Sequence, residues 1–166
     1  MDYEHFMGEA LKEAQKAFGR GEFPVGCVMV HGGRVIARGS RKGTCDGGRN
    51  ELDHAEMVAL RRLAARKEQP EPHGISVFST MEPCLMCFGA LMLHDIGEIV
   101  FAYEDPMGGS TACDQSRLSP LYRESSMRVR SGVCRRDSLK LFKAFFADPR
   151  NSYWRGSHLA QYTLRQ

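Results

Sequence analysis

The segment Leu85-Met86-Cys87-Phe88-Gly89-Ala90-Leu91-Met92-Leu93 carries no charge on any side. It belongs to a helix predicted from about Pro83 to His94, and a helix that is apolar nearly all round has to be buried. Strand-like runs precede it (Ile75 to Ser79) and follow it (Ile99 to Tyr103), which confines the chain to folds that layer helices on a sheet. Other periodicities extend this plan. Phe6, Met7, Ala10, Leu11, Ala14, Ala17 and Phe18 recur at helical spacing, giving a first helix over Asp2 to Phe18 stopped by Gly19-Arg20-Gly21. Val25 to Val30 reads as a strand, His31-Gly32-Gly33-Arg34 as a tight turn and Val35 to Arg38 as the hairpin partner. A long polar loop, Ser40 to Asp53, precedes a second helix from His54 to Arg66, and loops of that length are commonly functional. After the fourth strand come a short helix around Leu118 to Arg123, a fifth strand from Met127 to Ser131 and a helix from Asp137 to Ala147. More than 20 residues separate the last two strands, enough for a parallel crossover. The expectation is one α/β domain over residues 1–166. It is a three-layer α-β-α arrangement around a five-stranded mixed sheet, with residues 148–166 as a tail of unassigned structure.

A chain of 166 residues can bury a sizeable core, and 42% hydrophobic with 26% charged residues is ordinary globular composition. No stretch approaches the roughly 18 apolar residues of a membrane span, and Met1-Asp2-Tyr3-Glu4-His5 lacks a basic, then apolar, secretory start. A cytoplasmic protein without membrane partners is expected. Of six cysteines only Cys84 and Cys87 have metal-like spacing; Cys27, Cys45, Cys113 and Cys134 are read as reduced, mostly buried thiols. Charge is unevenly placed. Residues 1–116 hold 12 Lys/Arg and 17 Asp/Glu, a balance of −5, whereas residues 117–166 hold 11 and 3, a balance of +8. The basic part is either a phosphate-tracking face or a solvated helix side.

Two short motifs carry chemistry. His54-Ala55-Glu56 opens the second helix and Pro83-Cys84-Leu85-Met86-Cys87 opens the third. Cys84 and Cys87 are three apart, so both sulfurs share a helix face, and a helix N-terminus favours thiolates. His54 and Glu56, two apart, serve one site only if a metal lies off the helix end. A lone Cys-x-x-Cys is as often structural or redox, and a lone His at a helix start is usually a cap or a core residue. In conjunction they form the H-x-E…P-C-x-x-C signature of zinc deaminases. His54, Cys84 and Cys87 make three protein ligands and leave a fourth position for water, the pattern of catalytic zinc. One Zn2+ per chain is expected, with Glu56 as general acid/base.

Around those motifs the chain resembles the cytidine/deoxycytidylate deaminase superfamily, and within it the bacterial tRNA adenosine deaminase branch. The resemblance covers most of residues 5–147, including Gly21-Glu22-Phe23-Pro24-Val25-Gly26-Cys27-Val28 and Met81-Glu82-Pro83 before the cysteines. It implies a cytidine-deaminase-like sheet order of 2-1-3-4-5 with strands four and five parallel. It also implies a base seated between zinc and Glu22, Phe23 and Pro24, with contacts at Ala55, Glu82 and Pro83, and a homodimer. The chain departs from the pattern at three places. Arg41 stands where the family has a substrate-contacting Asn. Glu51-Leu52-Asp53 replaces Asp-Pro-Thr-Ala, and Asp148-Pro149 follows Phe145-Phe146 where a basic run is usual. Two substrates stay open: adenosine in a tRNA anticodon loop, with Phe145 or Phe146 stacking on flanking bases, or a free base, nucleoside or nucleotide of guanine, cytosine or deoxycytidylate type, with Arg41 selecting it. A non-catalytic zinc module is disfavoured, since a structural site has no need of Glu56.

Overall fold

A computed structural model describes residues 1–45 and 50–166; the part of the predicted long loop at 46–49 lies outside them. The elements run α1 (Tyr3–Gly19), β1 (Gly26–His31), β2 (Arg34–Ser40), α2 (Ala55–Ala64), β3 (Ser76–Met81), α3 (Leu85–Leu93), β4 (Glu98–Tyr103), α4 (Pro120–Arg123), β5 (Arg128–Arg130), α5 (Arg135–Ala147) and α6 (His158–Arg165). The sheet order is β2-β1-β3-β4-β5, as the resemblance implied. β1 is antiparallel to both its neighbours, and β3-β4 and β4-β5 are parallel. β2 and β3 therefore run the same way on either side of β1. The helices that follow them, α2 and α3, begin at the same edge of the sheet.

Burial on both faces explains why β1 shows no clean alternation. Cys27 and Met29 join one core with Leu60, Leu63, Phe88, Leu91 and Ile99 beneath α2 and α3. Val28 and Val30 join the other with Phe78, Val100 and the inner face of α1, Phe6, Met7 and Ala10. α2 lies so close on β2 that a Cβ at Gly39 would overlap the Ala55 carbonyl.

The structure departs from these expectations at five places. α3 is not buried all round: Leu85 and Leu93 are 63% and 56% exposed, because only Cys87, Phe88, Leu91 and Met92 face the sheet. Of the four cysteines read as mostly buried, only Cys27 is; Cys45 and Cys134 are half-buried and Cys113 is exposed. The tail forms α6, capped by the Ser157 hydroxyl, which accepts from the Ala160 N–H. Leu159 and Ala160 enter the core, and the Tyr103 and Thr163 hydroxyls bond at 3.0 Å. α5 begins two residues earlier than expected, and Phe142 and Phe145 are buried in the core. The stacking role expected for Phe145 is thereby excluded, while half-buried Phe146 packs on Phe23.

Because Gly39 sets the height of α2 above the sheet, Gly39→Ala is expected to destabilise the fold by about 1–3 kcal/mol or more through overpacking against backbone. Urea unfolding followed by circular dichroism measures this; Gly8→Ala, at a half-buried helical position with open space for a Cβ, is the comparison.

Candidate active site

His54 and Cys84 are the N-cap residues of α2 and α3, both with extended backbone, and neither side chain caps its own helix. Each projects off a helix end, and the two meet: His54 Nδ1 lies 3.5 Å from Cys84 Sγ. Ligand atoms of His54, Cys84 and Cys87 all fall within 4.8 Å of one another. Zn–N bonds of about 2.0–2.1 Å and Zn–S bonds of about 2.3 Å at a tetrahedral angle place N and S about 3.6 Å apart. The observed spacing fits zinc, as does the soft donor set.

Charge state agrees. The hydrogen bond from the Cys87 thiol, then that from His54, holds the Cys84 pKa down at about 4 against the penalty of burial. Cys87 is pushed up by giving that bond, by burial and by the neighbouring Glu56. Burial pulls the His54 pKa down, yet its bond to Cys84 and the Glu56 charge raise it overall.

Glu56, in the first turn of α2, is only 3% exposed. Its Oε1 accepts from the Ser79 hydroxyl at 2.7 Å and its Oε2 lies 3.6 Å from Cys87 Sγ. Ser79, at the end of β3, therefore fixes the carboxylate beside the ligand set. Nothing in the sequence singles Ser79 out, because its role depends on strand register.

These groups open into a cavity of about 230 Å³. Of the expected substrate contacts, Phe23, Arg41, Ala55 and Glu82 line it, and Glu22, Pro24 and Pro83 do not. Glu22 is turned toward the loop instead, where its carboxylate accepts from the N–H groups of Gly43, Thr44 and Cys45 and from the Thr44 hydroxyl. Burial would raise its pKa, but these bonds hold it at about 2. Pro83 offers its carbonyl to Ser110. Arg41 lines the cavity but is 2% exposed, and both terminal nitrogens are engaged within the protein. It is not free to grip a phosphate. Sequence reasoning missed Asp105 and Met107, from the loop after β4, and Tyr153, Trp154 and Leu159, from the C-terminal segment. Burial raises the Asp105 pKa.

The basic C-terminal residues are largely paired away from this cavity. Arg135 binds Glu104, Lys140 binds Asp137 and Arg150 binds Asp148; Arg128 and Arg130 face Glu98.

Known proteins place this geometry. The family described as the cytidine and deoxycytidylate deaminase zinc-binding region matches residues 1–103. A tRNA-specific adenosine deaminase of Bacillus subtilis (strain 168) is 33% identical over 147 residues, covering 89% of this chain and 90% of that one. One from Agrobacterium fabrum is 32% identical over 150 residues, covering 88% and 95%. A structure solved in a study of A-to-I editing by tRNA:A34 deaminases superposes with a TM-score of 0.67 at 32% identity, covering 82% of this chain and 98% of that one. This chain belongs to the cytidine and deoxycytidylate deaminase family, and it is a hydrolytic deaminase.

Proposed function

We propose that the protein converts adenosine to inosine in an RNA loop of the tRNA anticodon type, with one zinc ion per chain held by His54, Cys84 and Cys87. The observation that carries the substrate is the similarity to tRNA-specific adenosine deaminases along nearly the whole length of both chains. Zinc in such a site supplies Lewis acidity, which brings water within reach of deprotonation near neutral pH. Glu56 takes a proton from the attacking water as its oxygen bonds to C6, and passes that proton to ring nitrogen N1. The carboxylate then moves the remaining hydroxyl proton to the amino group, the C–N bond breaks, ammonia leaves and the C6 carbonyl forms. Ser79 holds Glu56 in place through both transfers.

A specific observation favours a second reading, a free purine or nucleoside. Tyr153, Trp154 and Leu159 wall the cavity from the C-terminal side, and among the described residues its lining holds four carboxylates, Glu51, Glu56, Glu82 and Asp105, and one cation of the arginine or lysine type, Arg41. That is a closed, acidic surround, unlike a phosphate track.

The homodimer belongs to the same proposal. Leu85 and Leu93 of α3 and Leu121 of α4, a helix in contact with α3, are all exposed, and exposed leucines on two adjoining helices suit a second copy of the chain. No helix among the described residues is long and apolar enough to cross a membrane.

Glu56→Gln is expected to lower kcat by about 10²–10⁴-fold while zinc content, read by atomic absorption, stays at one per chain; loss of zinc with activity would make Glu56 a ligand instead. Ammonia release is expected from an anticodon stem-loop with adenosine at its first anticodon position, and not from free adenosine, adenine or guanine. Turnover of a free purine alone would select the second reading. Leu85→Glu with Leu93→Glu is expected to convert a dimer to a monomer in sedimentation velocity; an unchanged sedimentation coefficient would place the interface elsewhere.

A further inference from the structure

One cluster on the cavity wall plays no part in the proton transfers. The Arg41 guanidinium donates through Nη1 to the carbonyls of Lys42 (3.1 Å) and Asn50 (2.7 Å), and through Nη2 to Glu51 Oε2 (2.8 Å) and the Tyr153 hydroxyl (3.2 Å). The Tyr153 hydroxyl in turn lies 2.9 and 3.2 Å from the two Glu51 oxygens. Glu51 is half exposed, so an unrestrained side chain there would sample several rotamers. Clamped from two sides, it presents Oε2 at 3.7 Å from His54 Nε2. The opposite ring nitrogen, Nδ1, is the one beside Cys84.

We propose that Glu51, clamped by Arg41 and Tyr153, is the positioning residue for His54, and that it ties the C-terminal segment to the metal half-site. An imidazole can ligate a metal only through a nitrogen with a free lone pair. An acceptor beside the other nitrogen fixes the proton there and sets the plane of the ring. Glu51 supplies that acceptor on the Nε2 side, leaving Nδ1 for the ion. Glu51 comes from the loop before α2 and Tyr153 from beyond α5, so the hydroxyl joins two segments about a hundred residues apart. The inference rests on His54, Cys84 and Cys87 being the zinc ligands.

The test is competition for zinc between the full-length protein and a chromophoric chelator, with urea unfolding and steady-state kinetics on the same samples. Glu51→Ala is expected to weaken zinc binding by about 10–100-fold, the usual effect of losing the partner of a ligating histidine. Glu51→Gln keeps an acceptor oxygen and is expected to recover part of that loss. Tyr153→Phe, which removes one of the two clamps, is expected to shift zinc affinity in the same direction by a smaller factor. Tyr162→Phe controls for general loosening of the C-terminal segment: its hydroxyl bonds Glu104, and its loss should leave zinc affinity unchanged. Wild-type zinc affinity in both Glu51→Ala and Tyr153→Phe, with changes confined to KM, would overturn this inference alone and make Glu51 a substrate contact. A wild-type protein that binds no zinc would overturn the ligand assignment beneath it as well.

Discussion

The starts of α2 and α3 direct their unpaired backbone N–H groups into one small volume, and two positive helix ends repel each other. Neither end is relieved by a capping side chain of its own. Negative charge between them provides the compensation. The acidified Cys84 thiol and the buried Glu56 carboxylate both sit at this junction. The same field favours the ionised form of Cys84 that a metal binds, so the feature that offsets the two helix ends also suits the junction to zinc. The strand directions bring it about: β2 and β3 are parallel across β1, and their two helices have to begin side by side. Gly39 then lets α2 settle onto the sheet at the height that brings His54 to Cys84.

Much of this was legible in the sequence, because it is written in local spacing. His54, Glu56, Cys84 and Cys87 stand at helix starts that hydrophobic period and turn residues locate, and the strand runs lie within two residues of those observed for all five strands. What escaped depends on partners distant in the chain. Glu22 looked like a substrate contact, but its oxygens go to backbone N–H groups more than twenty residues later. α6 is eight residues long, too short to be stable alone, and exists because Leu159, Ala160 and Thr163 pack against the domain. Its apolar residues do fall on one face, but a pattern eight residues long is too short to fix a helix from sequence. α3 was misjudged for a related reason. Uniform hydrophobicity says that a helix favours burial, but not which of its residues the fold covers.

The reacting groups occupy secondary structure, whereas the walls that choose a substrate come from loops and the C-terminal segment. Phe23 precedes β1, Glu51 precedes α2, Asp105 and Met107 follow β4, and Tyr153 and Trp154 follow α5. Walls of this kind can vary while the helix starts stay as they are, except at Glu51, whose carboxylate stands beside His54. Trp154 stands in the left-handed region (φ 54°), strained for a bulky residue, and is held there in a turn where the Arg155 guanidinium binds the carbonyls of Pro149 and Asn151.

The departures from the family pattern around this wall are physically one unit. An arginine in place of the usual asparagine puts a full positive charge into a nearly closed position, and a buried cation without partners is strongly destabilising. Two of the partners it finds, Glu51 and Tyr153, lie in the other two places where the chain differs: the loop before His54 and the segment after Phe146. Restoring asparagine alone would leave Glu51 with a single clamp and the Lys42 and Asn50 carbonyls without their guanidinium donor. The Arg41-Glu51-Tyr153 cluster therefore holds together as one unit, each member satisfied by the other two. Its Glu51 carboxylate stands 3.7 Å from His54 Nε2, so this wall and the His54-Cys84-Cys87 group meet at one side chain.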